Sequence, residues 1–237
     1  MRGLVAIAVL LTVLTGCGSG GAEKKELTVF AAASLTETFT ALGARFEAAR
    51  PGVKVTFNFG SSATLAQQIG KGAPADVFAA ASPATMKQVS DKARVFARNR
   101  LEIAVPKGNP ARVAGLADLA RPEVKVALCA PQVPCGAAAA KVLEGLKVTP
   151  VTLEQDVKAT LTKVTLGEVD AALVYRTDVR AAAGKVEGVE FAESARAVND
   201  YPIVALTGGL ADDFVSLVLS EQGRGVLTAA GFEGAAG

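Results

Sequence analysis

The stretch FNFGSSATLAQQIGKGAPADVF, residues 57–78, decides how the rest of the chain is read. Val53, Val55, Phe57 and Phe59 alternate as one face of a half-buried strand, and Leu65 and Ile69 lie four apart on one face of a helix. Gly60, Ser61 and Ser62 are therefore a strand-to-helix junction. The first amides of a helix have no intrahelical acceptor and carry roughly half a positive charge, so hydroxyls and amides gathered there converge on negative oxygens. A serine before a helix is equally an ordinary N-cap. One junction does not specify an anion site; several meeting at one place would.

Upstream the same device recurs. Residues 27–30 read as a short apolar strand, and Ala31-Ala32-Ala33-Ser34 leads into a helix whose Leu35, Phe39, Leu42 and Phe46 form one stripe. Ser34 with Glu37 three residues on fits a capping box. Parallel strands that end on one side of a sheet bring such junctions together at one cleft. Before this, Met1-Arg2 and an apolar run of about 11 residues are too short for a membrane span of roughly 20 and read as an export signal over residues 1–16. Leu14-Thr15-Gly16-Cys17 resembles a bacterial lipobox, which implies lipidation of Cys17. Residues 17–26 are then a tether and the protein an extracytoplasmic, membrane-anchored lipoprotein.

Downstream, residues 76–80 and 101–105 read as strands and 83–89 as a short helix with Pro at its first turn. Asp76 has no partner for chemistry and is expected to line a strand end. Pro106-Lys107-Gly108-Asn109-Pro110 punctuates the chain, and a second alternation of strands and helices begins at 124–128. In an exported protein Cys129 and Cys135 are expected to be disulfide-bonded. Closing this seven-residue ring contributes about 2.4 kcal/mol by chain entropy. The bridge serves either as a plain staple or to present the amides of Cys135 and Gly136, ahead of a helix expected over 137–146, to the cleft. A helix is expected over 152–166, with Asp156-Val157 near its start, and a buried strand over 171–175 ends at Tyr175, whose hydroxyl can donate without adding charge. Strands at 189–192 and 201–206 and helices at 212–219 and 221–230 complete the chain. The expected division is residues 27–104 with 201–237 as lobe 1 and residues 105–200 as lobe 2, hinged near Val105 and Tyr201.

Composition excludes much. The chain has 25 basic and 23 acidic residues; losing Arg2 with the signal leaves 24 against 23, which gives no footprint for nucleic acid. It has no histidine, so Ser-His-Asp and Cys-His catalytic sets are absent and the commonest zinc ligand is missing. A serine hydrolase would have to pair Ser61 or Ser62 with Lys71, at a spacing that fits neither G-x-S-x-G nor a P-loop.

VFAAASL, FGSSATLAQQIGKGAPADVF, the VPCG loop with its helix, EQDV and ALVY resemble the periplasmic molybdate-binding proteins of ABC transporters, over residues 27–232. The resemblance implies an α/β, two-lobed periplasmic binding protein (type II-like), each lobe a mainly parallel sheet flanked by helices, with the ligand in the interlobe cleft. It implies a tetrahedral oxyanion, molybdate or tungstate, held by the serines Ser34 and Ser62, the amides at Cys135 and Val157, and the Tyr175 hydroxyl. Cys135 stands where small residues such as Ala are commoner, in a loop one residue shorter. No catalytic residue and no cofactor beyond the ligand are implied. The partners implied are an ABC permease and a lipid anchor, with the protein a monomer; sulfate is the alternative ligand.

Overall fold

The computed structural model describes residues 25–235, so the expected signal, Cys17 and most of the tether lie outside the described residues. The chain builds β1 (Lys25–Ala32), α1 (Thr36–Ala48), β2 (Val53–Gly60), α2 (Ser62–Gly70), β3 (Val77–Ala79), α3 (Pro83–Met86) and β4 (Arg94–Asn99). It then forms β5 (Leu101–Pro106), β6 (Val126–Cys129), α4 (Pro134–Val142), β7 (Thr152–Glu154), α5 (Val157–Thr165), β8 (Ala171–Tyr175), α6 (Arg176–Ala181) and β9 (Val186–Val189). It ends with β10 (Asn199–Ala205), α7 (Leu210–Leu219), α8 (Glu221–Ala229) and β11 (Glu233–Gly234).

Two sheets result, ordered β11-β4-β10-β3-β1-β2 and β7-β6-β8-β5-β9. The two-lobed α/β class stands, but both sheets are mixed rather than mainly parallel. The parallel ladders join β1 to β2 and β3, and β6 to β7 and β8. The strands next to the crossings, β4, β10 and β5, pair antiparallel. The division of labour has a physical basis: a parallel neighbour needs a crossover helix, and each helix start is a potential anion cradle.

The first crossing comes earlier than Val105. Leu101 to Ala104 pair with β8 in the second sheet, so the chain changes lobes at Arg100, and it returns at Val198 rather than Tyr201. Asn99 and Asn199 are partners in the β4–β10 ladder, which sets the two crossings side by side as a hinge requires. The alternation in 101–105 is that of a strand buried in either sheet, so periodicity could not say which one it joins.

Burial follows the helical stripe and the strand pleat. Leu35, Phe39, Leu42 and Phe46 are all fully buried, packed with Phe214 and Val218 of α7 and Leu227 of α8 on one face of the first sheet. Phe30, Phe78 and Leu65 fill its other face. A second core behind the other sheet centres on Ile103, Val126, Leu173 and Val164. Asp76 behaves as expected, accepting from the Thr28 amide at 2.8 Å and the Thr207 hydroxyl at 3.0 Å, which stitches β1 to the chain after β10. Three expectations shift. The helix expected over 152–166 is a strand and then a helix, because Asp156 caps a new start; the strand expected at 189–192 lies at Val186–Val189; and α4 begins at Pro134, ahead of the expected 137.

Candidate functional site

The parallel strands of both sheets end toward the gap between lobes. The β1–β2 register pairs Ala32 with Gly60, so their strand ends are level and deliver Ser34 and Ser62 side by side. In the other lobe Cys129 pairs with Glu154, which levels the loops leading to Cys135 and Val157. β8 ends on Tyr175. All five residues expected from the sequence, Ser34, Ser62, Cys135, Val157 and Tyr175, line one cavity of about 20 Å³. That is little more than one water-sized sphere and far below the roughly 300–1,000 Å³ of sites for organic ligands. No Lys or Arg lines it.

Neither serine acts as the N-cap it resembles. Ser34 lies in a short 3-10 turn, Ala33–Leu35, and α1 starts after it with no side-chain cap, so the Ser34–Glu37 capping box does not form. Instead the Ser34 Oγ meets the Tyr201 hydroxyl at 2.9 Å. When Tyr201 donates, the lone pair of Ser34 is occupied from behind and its own hydrogen is free for the cavity. Ser62 is arranged likewise: the Ala81 amide donates to its Oγ at 3.0 Å. Ser62 thus keeps its own hydrogen for the cavity, and Ser34 does so in the arrangement in which Tyr201 donates. Tyr201, placed by the sequence only in a strand near the hinge, is the positioning group that the reading missed. No local signal marks it, since its partner is 167 residues away.

The second lobe supplies amides. α5 is capped by Asp156, whose Oδ1 accepts from the amides of Lys158 at 2.8 Å and Ala159 at 2.9 Å. That leaves Val157, the first helical residue, with an amide that has no intrahelical acceptor. In α4 Pro134 has no N–H and the Ala137 amide already donates to Val133, so Cys135 and Gly136 carry the free amides of that helix start. Gly136 is needed there, because a Cβ would fall 1.9 Å from the Ala130 carbonyl oxygen. The Cys129 and Cys135 sulfurs lie in disulfide geometry, with the Cα atoms 5.8 Å apart, tying the end of β6 to this helix start.

Tyr175 is almost wholly buried and, with the Tyr201 and Asn199 side chains close by, its hydroxyl makes no well-formed hydrogen bond among the described residues. Burial, with Tyr201 and Asp178 close by, holds its phenol well above the usual range, so it remains a neutral O–H donor. The site therefore offers hydroxyl hydrogens from both lobes and amide hydrogens from the starts of α4 and α5, and suits a small, fully ionised anion. The pairing needed for a serine nucleophile is not formed: Lys71 follows the far end of α2, about 14 Å along the axis from Ser62.

Comparison with known proteins agrees with this geometry. Residues 27–233 match the family described as bacterial extracellular solute-binding protein. The chain is 39% identical to the molybdate-binding protein ModA of Mycobacterium tuberculosis H37Rv, over 97% of this chain and 96% of that one. Among solved structures, the periplasmic molybdate-binding protein of Azotobacter vinelandii superposes with a TM-score of 0.73 at 21% identity, covering 87% of this chain and 98% of that one. The sulfate-binding protein SubI of M. tuberculosis superposes with a TM-score of 0.76 at 20% identity, covering 89% and 87%. At those identities the superpositions speak for the fold alone, and the family match extends over nearly the whole folded body: the chain belongs to the bacterial extracellular solute-binding proteins.

Proposed function

We propose that this protein captures molybdate, and tungstate with it, outside the cytoplasm and delivers it to an ABC permease. The observation that carries the reading is the pair of serine hydroxyls, Ser34 bonded to the Tyr201 hydroxyl and Ser62 accepting from the Ala81 amide, facing helix-start amides and a neutral phenol across a cavity of about 20 Å³. Such a site has hydroxyl and amide hydrogens to give, and the one carboxylate in its lining, Asp156, already spends its Oδ1 on the Lys158 and Ala159 amides, which leaves little acceptor capacity for a ligand's proton. Molybdate is fully ionised near neutral pH and needs none. Phosphate retains a proton there, and leaving that proton unpaired in a closed site costs about 1–3 kcal/mol. Sulfate carries the same charge as molybdate but shorter bonds, so the donors would have to stretch to reach it; selection between the two is by size. The 39% identity to a molybdate-binding relative supports the same choice over the sulfate-binding fold neighbour.

The protein works as a monomer with no cofactor besides its ligand. It is held to the membrane by a lipid on Cys17, and the bridge between Cys129 and Cys135 is closed after export. No helix among the described residues is long and apolar enough to cross a membrane. Intact mass of the native protein checks both modifications: a mature chain starting at an acylated Cys17 and two hydrogens lighter is expected, and retention of Arg2 or alkylation of Cys129 without reductant would contradict them.

Titration calorimetry with molybdate, tungstate, sulfate and phosphate tests the ligand. Molybdate and tungstate are expected to bind tightly and, at 100 times the dissociation constant, to stabilise the fold by about 2.7 kcal/mol. Sulfate binding as tightly as molybdate would overturn the assignment.

A further inference from the structure

Ser61 occupies the N-cap position of α2, where a serine ordinarily turns its Oγ back on the second or third amide of the helix. It makes no such bond. Its Oγ is buried, has no hydrogen-bond partner among the described residues, and belongs to a residue only 7% exposed that lines the same cavity as Ser34 and Ser62. A buried hydroxyl without a partner is unfavourable, and so is a helix start whose cap is left unused. Both are explained if the partner is a ligand.

We propose that Ser61 is a third serine donor of the oxyanion site, in the cavity that the equally unpartnered Tyr175 hydroxyl of the opposite lobe also lines. The inference rests on the reading that this cavity receives a tetrahedral oxyanion. Three differences from its neighbours define its role. Ser34 is bonded to the Tyr201 hydroxyl and Ser62 accepts from the Ala81 amide, so both hydroxyls are already restrained by a protein partner. The Ser61 hydroxyl has no such partner among the described residues, so it can turn toward whichever oxygen the other donors leave short. It also sits where the dipole of α2, a nine-residue helix, is most positive.

The test is calorimetry with sodium molybdate on the unsubstituted protein and on Ser61→Ala, Ser61→Gly and Ser61→Thr, alongside thermal melts without ligand. Glycine caps a helix nearly as well as serine, so Ser61→Gly keeps the helix start intact if alanine disturbs it. The expected result is that Ala and Gly weaken molybdate binding about 10-fold or more, Thr restores most of it, and the ligand-free melting temperature of Ser61→Ala does not fall. Binding by both variants at the unsubstituted affinity overturns the inference and leaves the function standing, and a lowered ligand-free melt with unchanged binding makes Ser61 a cap. No molybdate binding by the unsubstituted protein would overturn the function and the inference together.

Discussion

Ser34 and Ser62 matter through the atoms behind them as much as through their own hydroxyls. Replacing either by alanine leaves an anionic oxygen one donor short, and affinity is expected to fall by roughly 1.5–3 kcal/mol, about 10- to 150-fold. Tyr175→Phe should fall in the same range, since its hydroxyl has no other well-formed hydrogen bond to lose among the described residues. Tyr201→Phe separates direct contact from positioning. It leaves Ser34 in place but frees its rotor, so calorimetry is expected to show a loss of about 1 kcal/mol, roughly fivefold. An unchanged affinity in Tyr201→Phe would mean that the 2.9 Å bond to Ser34 serves the core and not the ligand.

At the scale of elements, three helices are tied by one ammonium. Lys158 of α5 lies 2.7 Å from Glu37 of α1 and 3.2 Å from Asp178 of α6, so it joins the lobes and also faces a buried carboxylate. Asp178 is fully buried; burial pushes its carboxyl up to about 6, against the pull of Lys158 and the Tyr175 amide. Burial also opposes charge on Lys158, but Asp178 and Glu37 outweigh it and hold its pKa above the usual value. The sign for pH follows. An unfolded Asp titrates near 3.9, so between about pH 4 and 6 the folded state binds more protons and this group's contribution to stability falls as pH rises. Lys158→Met should therefore destabilise by about 1–3 kcal/mol at pH 8, where Asp178 is charged and loses its counter-ion, and much less at pH 5, where it is already protonated. Denaturant melts at the two pH values check this; an equal loss at both would show that the Glu37 pair alone carries the effect.

For the whole molecule, the proposed function implies closure of the lobes. The donors come from both lobes: Ser34 and Ser62 after strands of the first sheet, Cys135, Val157 and Tyr175 after strands of the second. They surround one small cavity only while the lobes are shut. Direct surface ties across the cleft are Lys158 with Glu37 and Arg176 with Glu233, the latter at 3.4 Å; exposed pairs of this kind contribute about 0–1 kcal/mol each. Small-angle scattering is expected to show a smaller radius of gyration with saturating molybdate than without it, through rotation about Arg100 and Val198. An unchanged radius would mean that the empty protein is already closed.

Much of this was written locally. The stripe Leu35, Phe39, Leu42, Phe46 is buried along its whole length, the apolar run Ala171–Tyr175 is a buried strand, and the junctions after β1 and β2 stand where hydrophobic period changes from two to 3.6. Those features depend on neighbours within about one helical turn, so one chain displays them. Tertiary structure alone decided the rest: that Leu101–Pro106 joins the second sheet, that Ser34 answers to Tyr201 and Ser62 to Ala81 instead of capping helices, and that Ser61 is left with a free hydroxyl. A hydroxyl takes whichever donor or acceptor the folded chain brings to it, and at a separation of 167 residues that choice belongs to sheet register, not to sequence pattern.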